Sequence, residues 1–396
     1  MLFSILKNLK FIGKIDIIDF KGNIYSYGEG LPYSKIHLTT KSIERKLIYN
    51  PSLYLGEGYM NKDIIIKEGT LDNFINIISS VYNNYLSKNL FFNFYENFFN
   101  FFKRFQQVNE LLKSKKNVAH HYDLNESMYR LFLDQDMQYS CGYFHNNNIG
   151  LDQAQVDKKI HIIKKLQIKE NMSVLDIGCG WGGMALQIAK DTGAHVKGIT
   201  LSENQYITAQ KRAQKEGLNE KVTFALQDYR NEKNSYDRIV SVGMFEHVGV
   251  NYYPIYFSKT YELLNDSGIF LLHTIGQKTK PTATSPWIRK YIFPGGYIPS
   301  LSEIMMNVEN SGLITNDIQV LKYHYAETLK RWRYNFYDNI EEIKEIYDDR
   351  FCRMWDFYLS SSQASFDSAN LVVFQLQLSK NKNTVPDKRD YLFKNS

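Results

Sequence analysis

The segment from Val174 to Gly183 reads VLDIGCGWGG: an apolar run, an acidic residue, four glycines and a helix starting near Met184. Glycine has no Cβ, so the chain can turn sharply there and approach a ligand closely. The helix that follows offers unpaired N–H groups in its first turn. Such a turn holds a nucleotide-like cofactor at the end of a strand. Gly178, Gly180 and Gly183 also match the G-x-G-x-x-G spacing of a dinucleotide site. Asp176, two residues before the first glycine, can pair with the ammonium of an amino-acid cofactor, whereas a pyrophosphate disfavours a carboxylate at that turn. The next apolar run, His195 to Thr200, leads into TLSENQ and has no acid at its tip to grip a ribose. These residues favour S-adenosylmethionine over NAD, and Glu203 keeps NAD open.

Three further places can carry chemistry. Glu246 and His247 end VSVGMFEHVG, just past an apolar run, and an acid beside a histidine at a strand end lies at the mouth of such a site. His273 ends the next apolar run, in FLLHTIG, and points to the same mouth. Cys141, in YSCGYF, reads on its own as an ordinary buried thiol.

The elements that must position these residues follow from periodicity. Strands are expected at Val174–Ile177, Val196–Thr200, Val222–Leu226, Arg238–Val242 and Ile269–His273, with helices at Met184–Lys190 and Glu203–Glu216. This alternation predicts a parallel sheet wound with helices on both faces, with ligands at the carboxyl ends of its strands. Ser202 with Gln205 three residues later reads as a capping box. Upstream, Lys14 to Phe20 alternates like a strand and Asn73 to Tyr82 reads as a helix. Phe91 to Phe105 carries phenylalanines at helical spacing, beside Lys103 and Arg104, and Lys113, Lys115 and Lys116 form a basic hinge.

A length of 396 residues fits two domains, and 43% hydrophobic content supplies a sizeable core. The net charge of +6 suits solubility or attraction to anionic lipid or nucleic acid, and charge alone does not separate them. The 29 tyrosines and 25 phenylalanines favour apolar or cationic ligands. Three cysteines, Cys141, Cys179 and Cys352, build neither a disulfide framework nor a zinc site, so a reducing cytoplasm is expected. No apolar run is long enough to span a bilayer, and lysines interrupt the N-terminal MLFSILKNLKFIGKI, a poor signal peptide.

YSCGYF, VLDIGCGWGG, TLSENQ, QDYR, VGMFEHVG, LLHTIG, PWIRKYIFPGG and HYAETLKRW occur in this order. Through them the chain resembles the cyclopropane fatty acid synthase family, S-adenosylmethionine-dependent enzymes acting on lipid acyl chains. The resemblance covers essentially the whole chain. LGEGYM, Leu55 to Met60, is similar to the N-terminal domain of the phospholipid-acting branch, and the mycolic-acid synthases are similar over the second part only. The resemblance implies a Rossmann-like class I methyltransferase α/β fold with a doubly wound sheet and a smaller mixed α+β N-terminal domain. The expected division is a lipid-binding accessory domain over 1–114 and a catalytic domain over 115–396.

The resemblance also implies roles. A bicarbonate ion is the base, cradled by Cys141, Glu246, His273, Tyr325 and the backbone N–H of Ile275. S-adenosylmethionine is held by Tyr139, Ser140, Asp176, Gly178, Gly180, Thr200, Leu201, Gln205, Gln227, Asp228 and Tyr229. Trp287, Tyr291, Phe293 and Tyr325 are candidates, by composition, to face a carbocation. The partner expected is an unsaturated phospholipid at the inner face of the cell membrane, not nucleic acid, and a homodimer is plausible from the family. One departure stands out: family members often carry a late cysteine after a Tyr-Leu pair, and here Ser362 follows Tyr358 and Leu359 in its place. The mechanism needs no covalent enzyme intermediate, so activity is expected to survive. The alternatives are a related methyltransferase that leaves a methyl branch or methylates a small amine, and a lipid-binding protein without catalysis.

Overall fold

The computed structural model describes residues 1–86, 126–146 and 148–393. The Phe91–Phe105 segment, the basic hinge and the expected boundary at 114 lie outside them. The chain forms two compact units, each assembled from separated stretches. Described residues 1–86 join Thr282–Pro294 and Leu329–Asn370 in the first, and the rest form the second.

The first unit carries a four-stranded sheet in the order β2-β1-β3-β4, built from β1 (Gly13–Ile18), β2 (Ile24–Glu29), β3 (Tyr33–Leu38) and β4 (Ile64–Glu68). β1 and β2 form a hairpin whose turn is tied by Asp19, which accepts the N–H groups of Lys21 and Asn23. Ile15, Ile17, Ile36 and Leu38 alternate inward, as half-buried strands require. Helix Leu71–Leu86 packs on this sheet, and helix Pro51–Met60 packs against Pro286–Tyr291 and Asp349–Asp367. Trp287 is fully enclosed there: its indole N–H donates to Met60 Sδ (3.2 Å), and its ring meets Phe357 edge-on at 4.9 Å.

The second unit holds a seven-stranded sheet in the order β10-β11-β9-β8-β5-β6-β7. Its strands are β5 (Ser173–Ile177), β6 (His195–Thr200), β7 (Val222–Leu226), β8 (Tyr236–Val242), β9 (Leu264–Gln277), β10 (Ile314–Leu321) and β11 (Leu371–Ser379). β9, β8, β5, β6 and β7 run parallel, as expected. β10 and β11 were not foreseen, and they pair antiparallel on the β9 side.

Successive residues of these strands feed two different cores. Val174, Val240, Ile269 and Leu271 pack with the helices Leu151–Leu166, Gly183–Thr192 and Glu203–Lys215. Leu175, Ile239, Phe270 and Leu272 pack with Tyr253–Leu263 and Leu301–Ser311. Apolar side chains on both faces are what a parallel sheet covered on both sides demands.

Helix Pro51–Met60 approaches Trp287 through Gly56, where an added methyl would fall inside van der Waals contact with the indole ring. Gly56→Ala is expected to destabilise the protein by about 1–3 kcal/mol, the range for overpacking a filled core. A lowered melting midpoint by circular dichroism would show it, and an unchanged midpoint would contradict this packing.

Candidate active site

The turn after β5 builds one wall of a cavity at the carboxyl end of the parallel strands. Gly178 has φ of 83°, and a Cβ there would strike the Met244 side chain, so only glycine fits. The N–H groups of Gly178 and Cys179 both bond the Ile199 carbonyl, at 2.9 and 3.0 Å, which pins the turn to the end of β6. Gly183 then opens the helix at a point where Asp136 comes so close that any side chain would collide with its carboxylate. A carboxylate beside a helix N-terminus is electrostatically favoured.

All eleven residues expected to contact the cofactor line this one cavity: Tyr139, Ser140, Asp176, Gly178, Gly180, Thr200, Leu201, Gln205, Gln227, Asp228 and Tyr229. Asp176 is 1% exposed, its Oδ2 has no hydrogen-bond partner among the described residues, and burial pushes its pKa up to about 7 against the opposing pull of Lys158. A buried carboxyl oxygen without a partner suits an ammonium group. Gln205 does only half of the capping box. Its backbone N–H bonds Ser202 Oγ (3.4 Å), but its side-chain Oε1 accepts from Thr200 Oγ1 (2.9 Å) instead of reaching the Ser202 backbone. The Thr200 hydroxyl, itself buried, offers it a donor inside the cavity wall. Asp228 is held by Arg230, which donates from Nε (2.8 Å) and Nη2 (2.7 Å).

Sequence reading missed Met137, Gln138, Trp181, Arg230 and Met244 in the cavity wall, and Lys158 behind it. Lys158 Nζ donates to Gln138 Oε1 and Ser140 Oγ, both at 2.7 Å, and no carboxylate among the described residues lies within ion-pair distance of it. Burial draws its pKa down to about 8, opposed chiefly by Asp134. A signal was present: Lys158 falls between Ala154, Ile162 and Leu166 on the fully buried stripe of its helix. Its neighbour Lys159 pairs with Asp136 (2.6 Å), which Arg212 also grips, so the stretch Asp134–Ser140 is latched to two helices.

Of the residues expected to cradle the anion, Cys141 follows the cavity-lining Ser140, and Glu246 falls between the lining residues Met244 and His247. Gly243, past β8, bonds the His273 carbonyl through its N–H (2.9 Å), so Glu246 follows the end of β8 while His273 lies within β9 level with that end. Glu246 is enclosed, and burial raises its pKa although the Ile275 N–H donates to Oε1 at 2.5 Å. Its Oε2 is buried without a partner among the described residues. The Ile275 N–H expected for the anion is thus engaged by Glu246 itself, because a buried carboxylate takes the nearest donor. His273 accepts from Gln375, and burial, with Lys158 next, holds its pKa well below the usual range. His247 lines the cavity, and burial lowers its pKa to about 4.

Cys141 Sγ donates to the Gly142 carbonyl (3.3 Å), and burial pushes its thiol well up. The next amides tie this stretch to the first turn of helix His324–Asp338: Gly142 N–H to Thr328 Oγ1 and Phe144 N–H to His324 Nδ1, both at 3.0 Å. Tyr325 is buried in that turn. Trp287, Tyr291 and Phe293 belong to the first unit. Trp287 is a core residue there rather than an open π-face, and Tyr291 donates its hydroxyl to Glu57 (2.8 Å). Lys290 is also paired with Glu57 (2.7 Å). Cys352 is buried, with its pKa raised to about 11 by burial.

Fold and site together define an S-adenosylmethionine-dependent methyltransferase. The mycolic acid cyclopropane synthetase family matches residues 109–376, and a domain of unknown function matches residues 4–90. The chain belongs to the mycolic acid cyclopropane synthetase family. It is 42% identical over 273 residues to the cyclopropane-fatty-acyl-phospholipid synthase of Escherichia coli strain K12, covering 68% of this chain and 70% of that protein. Among solved structures it is similar to the cyclopropane synthase MmaA2 of Mycobacterium tuberculosis, with a TM-score of 0.65, 30% identity, and coverage of 69% of this chain and all of that one. It is also similar to the mycolic acid cyclopropane synthase CmaA1 complexed with SAH and CTAB, at a TM-score of 0.64 and 30% identity, covering 67% and 97% of the two chains.

The pKa of Asp176 sets a pH dependence. Its ionised form, the one that pairs with an ammonium, prevails above about 7 and is lost as pH falls through that value. Affinity for S-adenosylmethionine, measured by titration calorimetry, is expected to fall on acidification below 7 and to level off above it. Lys158→Met removes the cation that favours the ionised form, so the midpoint is expected to move upward. A pH-independent affinity would rule out this role for Asp176.

Proposed function

We propose that this enzyme transfers the methyl carbon of S-adenosylmethionine to a cis double bond of an unsaturated phospholipid acyl chain and closes a cyclopropane ring. The observation that carries the reading is the juxtaposition of the cofactor cavity with an enclosed carboxyl, Glu246, just past the end of β8, and a neutral histidine, His273, on β9 level with that end. The two acyl carbons gain one carbon between them, the methyl gives up one hydrogen as a proton, and S-adenosylhomocysteine leaves.

S-adenosylmethionine supplies an electrophilic methyl on a sulfonium. Asp176 takes its ammonium, and Gly178 and Gly180 let the backbone come close. Asp228 and Gln227 face its nucleoside from the end of β7, and Met137–Ser140, at the end of the latched stretch, form part of the cavity wall. Dryness matters because water would capture a carbocation before ring closure.

Bicarbonate, when bound, supplies a base of the strength that the proton transfer needs. Glu246 fits it through the unpartnered Oε2, which can accept the hydroxyl hydrogen of the ion. His273 and Tyr325 supply donors, and the Cys141 thiol, being protonated, adds no competing negative charge. A methyltransferase acting on an amine needs no such anion site, since the amine carries its own lone pair.

We place the 1–114 region as the accessory lipid-binding domain and the remainder as catalytic. The substrate is met at a membrane surface, in keeping with the absence, among the described residues, of any helix long and apolar enough to cross one. Assembly as a homodimer is part of the same proposal.

Mass spectrometry of unsaturated phospholipid vesicles incubated with the protein and methyl-deuterated S-adenosylmethionine tests the reaction. Expected is one added carbon at the double bond, with one methyl deuteron lost. Glu246→Gln is expected to lose about a hundredfold or more in rate, as for an essential proton-transfer group. A methyl-branched product would keep the fold and overturn the ring. Ser362→Ala, by contrast, is expected to leave turnover within about twofold, since its half-buried hydroxyl on helix Asp349–Asp367 takes part in no step above.

A further inference from the structure

Strand β11 is apolar except for Gln375 and Gln377 and the Ser379 that ends it, and both glutamines lie in the interior. An amide inside a strand covered on both faces needs partners of its own. Gln377 donates to the Lys165 carbonyl (2.5 Å) and to the Tyr391 hydroxyl (3.1 Å). Gln375 donates from Nε2 to Nδ1 of His273 at 3.0 Å. Its other end, Oε1, is buried without a partner among the described residues, so the histidine is what its side chain holds. The two residues face each other directly across the antiparallel β9–β11 ladder, which puts their side chains on one face. Exposure is 0% for Gln375 and 2% for His273.

A neutral imidazole carries one ring proton. If Nδ1 accepts from Gln375, that proton sits on Nε2, on the far side of the ring. The opposite tautomer would present a lone pair there, which repels an anion. We infer that Gln375 is a positioning residue for the reaction: it fixes His273 as an Nε2–H donor toward the anion held by Glu246. This rests on the reading, under Proposed function, that His273 faces a bound anion. Protonation offers no alternative route to a donor, because burial and the neighbouring Lys158, Lys165, His161 and His324 keep the ring neutral. The tautomer is therefore the one freedom left, and the cross-strand amide removes it.

The experiment combines nitrogen-15 NMR of histidine-labelled full-length protein with steady-state turnover on phospholipid vesicles at graded bicarbonate. His273 is assigned by its loss in His273→Gln. Expected in the parent protein is a proton on Nε2 and none on Nδ1. In Gln375→Glu the new carboxylate accepts from the ring, so the proton is expected on Nδ1. In Gln375→Leu the two tautomers are expected to mix. Half-saturation by bicarbonate is expected to rise about tenfold or more in both variants, the scale of a lost hydrogen bond to a charged group. Affinity for S-adenosylmethionine is expected to stay within about twofold, since β9 and β8 separate β11 from β5. A merely structural role would weaken both ligands together.

A proton on Nδ1 in the parent protein overturns the inference. So does an unchanged bicarbonate half-saturation in a variant whose tautomer has moved. If turnover of the parent protein ignores bicarbonate, the anion reading falls instead, and Gln375 is then judged on the tautomer alone.

Discussion

Two carboxyl groups enclosed in an apolar sheet set the terms for the rest of the second unit. Asp176 ends β5 and Glu246 follows β8, and each keeps one oxygen that no group among the described residues satisfies. An ionised carboxylate without a full set of partners is costly in such surroundings, so both groups are pushed toward the neutral form. The fold tolerates this because strands β5 to β9 are packed from both faces by apolar side chains. That packing supplies enough stability to hold two poorly satisfied acids at one edge. In the function proposed above, an ammonium completes Asp176 and a hydroxyl donor completes Glu246.

Lys158 links the two. Its ammonium is wholly buried and shared between Gln138 and Ser140, yet its field reaches Asp176, Cys141 and His273. It favours the ionised form of Asp176 while disfavouring a charge on His273, so one cation sharpens the contrast between an acid that ionises and a histidine that does not. The latch formed by Asp136 with Lys159 and Arg212 serves the same end mechanically, because it keeps the Gln138 and Ser140 side chains where Lys158 needs them.

The parts legible in the sequence are those whose cause is local. A glycine turn after a strand, an acid at its base and a helix at its end lie within ten residues, and the cavity they form gathers every residue expected of it. Lys158 and Gln375 are different. Lysine in a helix and glutamine in a strand signify burial only once the opposing surface is known, and that surface comes from elsewhere in the chain. Strands β10 and β11 escaped for a related reason, since they close the sheet antiparallel after the strand–helix alternation has ended. In the first unit the strand near Lys14–Phe20 and the helix near Asn73–Tyr82 were legible, and its core was not. Its core joins Met60, Trp287 and Phe357, and no local pattern announces that residues so far apart share one interior.

The state of the thiols bears on the chemistry as a whole. Cys141, Cys179 and Cys352 are the three cysteines of the chain, all buried, and burial raises the pKa of each. A nucleophilic thiol must ionise, which needs a nearby cation or helix N-terminus to lower its pKa. Lys158 pulls Cys141 in that direction, but burial dominates. Covalent catalysis by cysteine is therefore disfavoured at every available position, and the serine at 362 costs the enzyme no thiolate that its interior would support. What the interior does support is proton transfer among groups kept neutral until a ligand arrives. The carbocation route proposed above suits such a site, because a buried thiol kept protonated is a poor nucleophile and leaves the cation to the acyl chain.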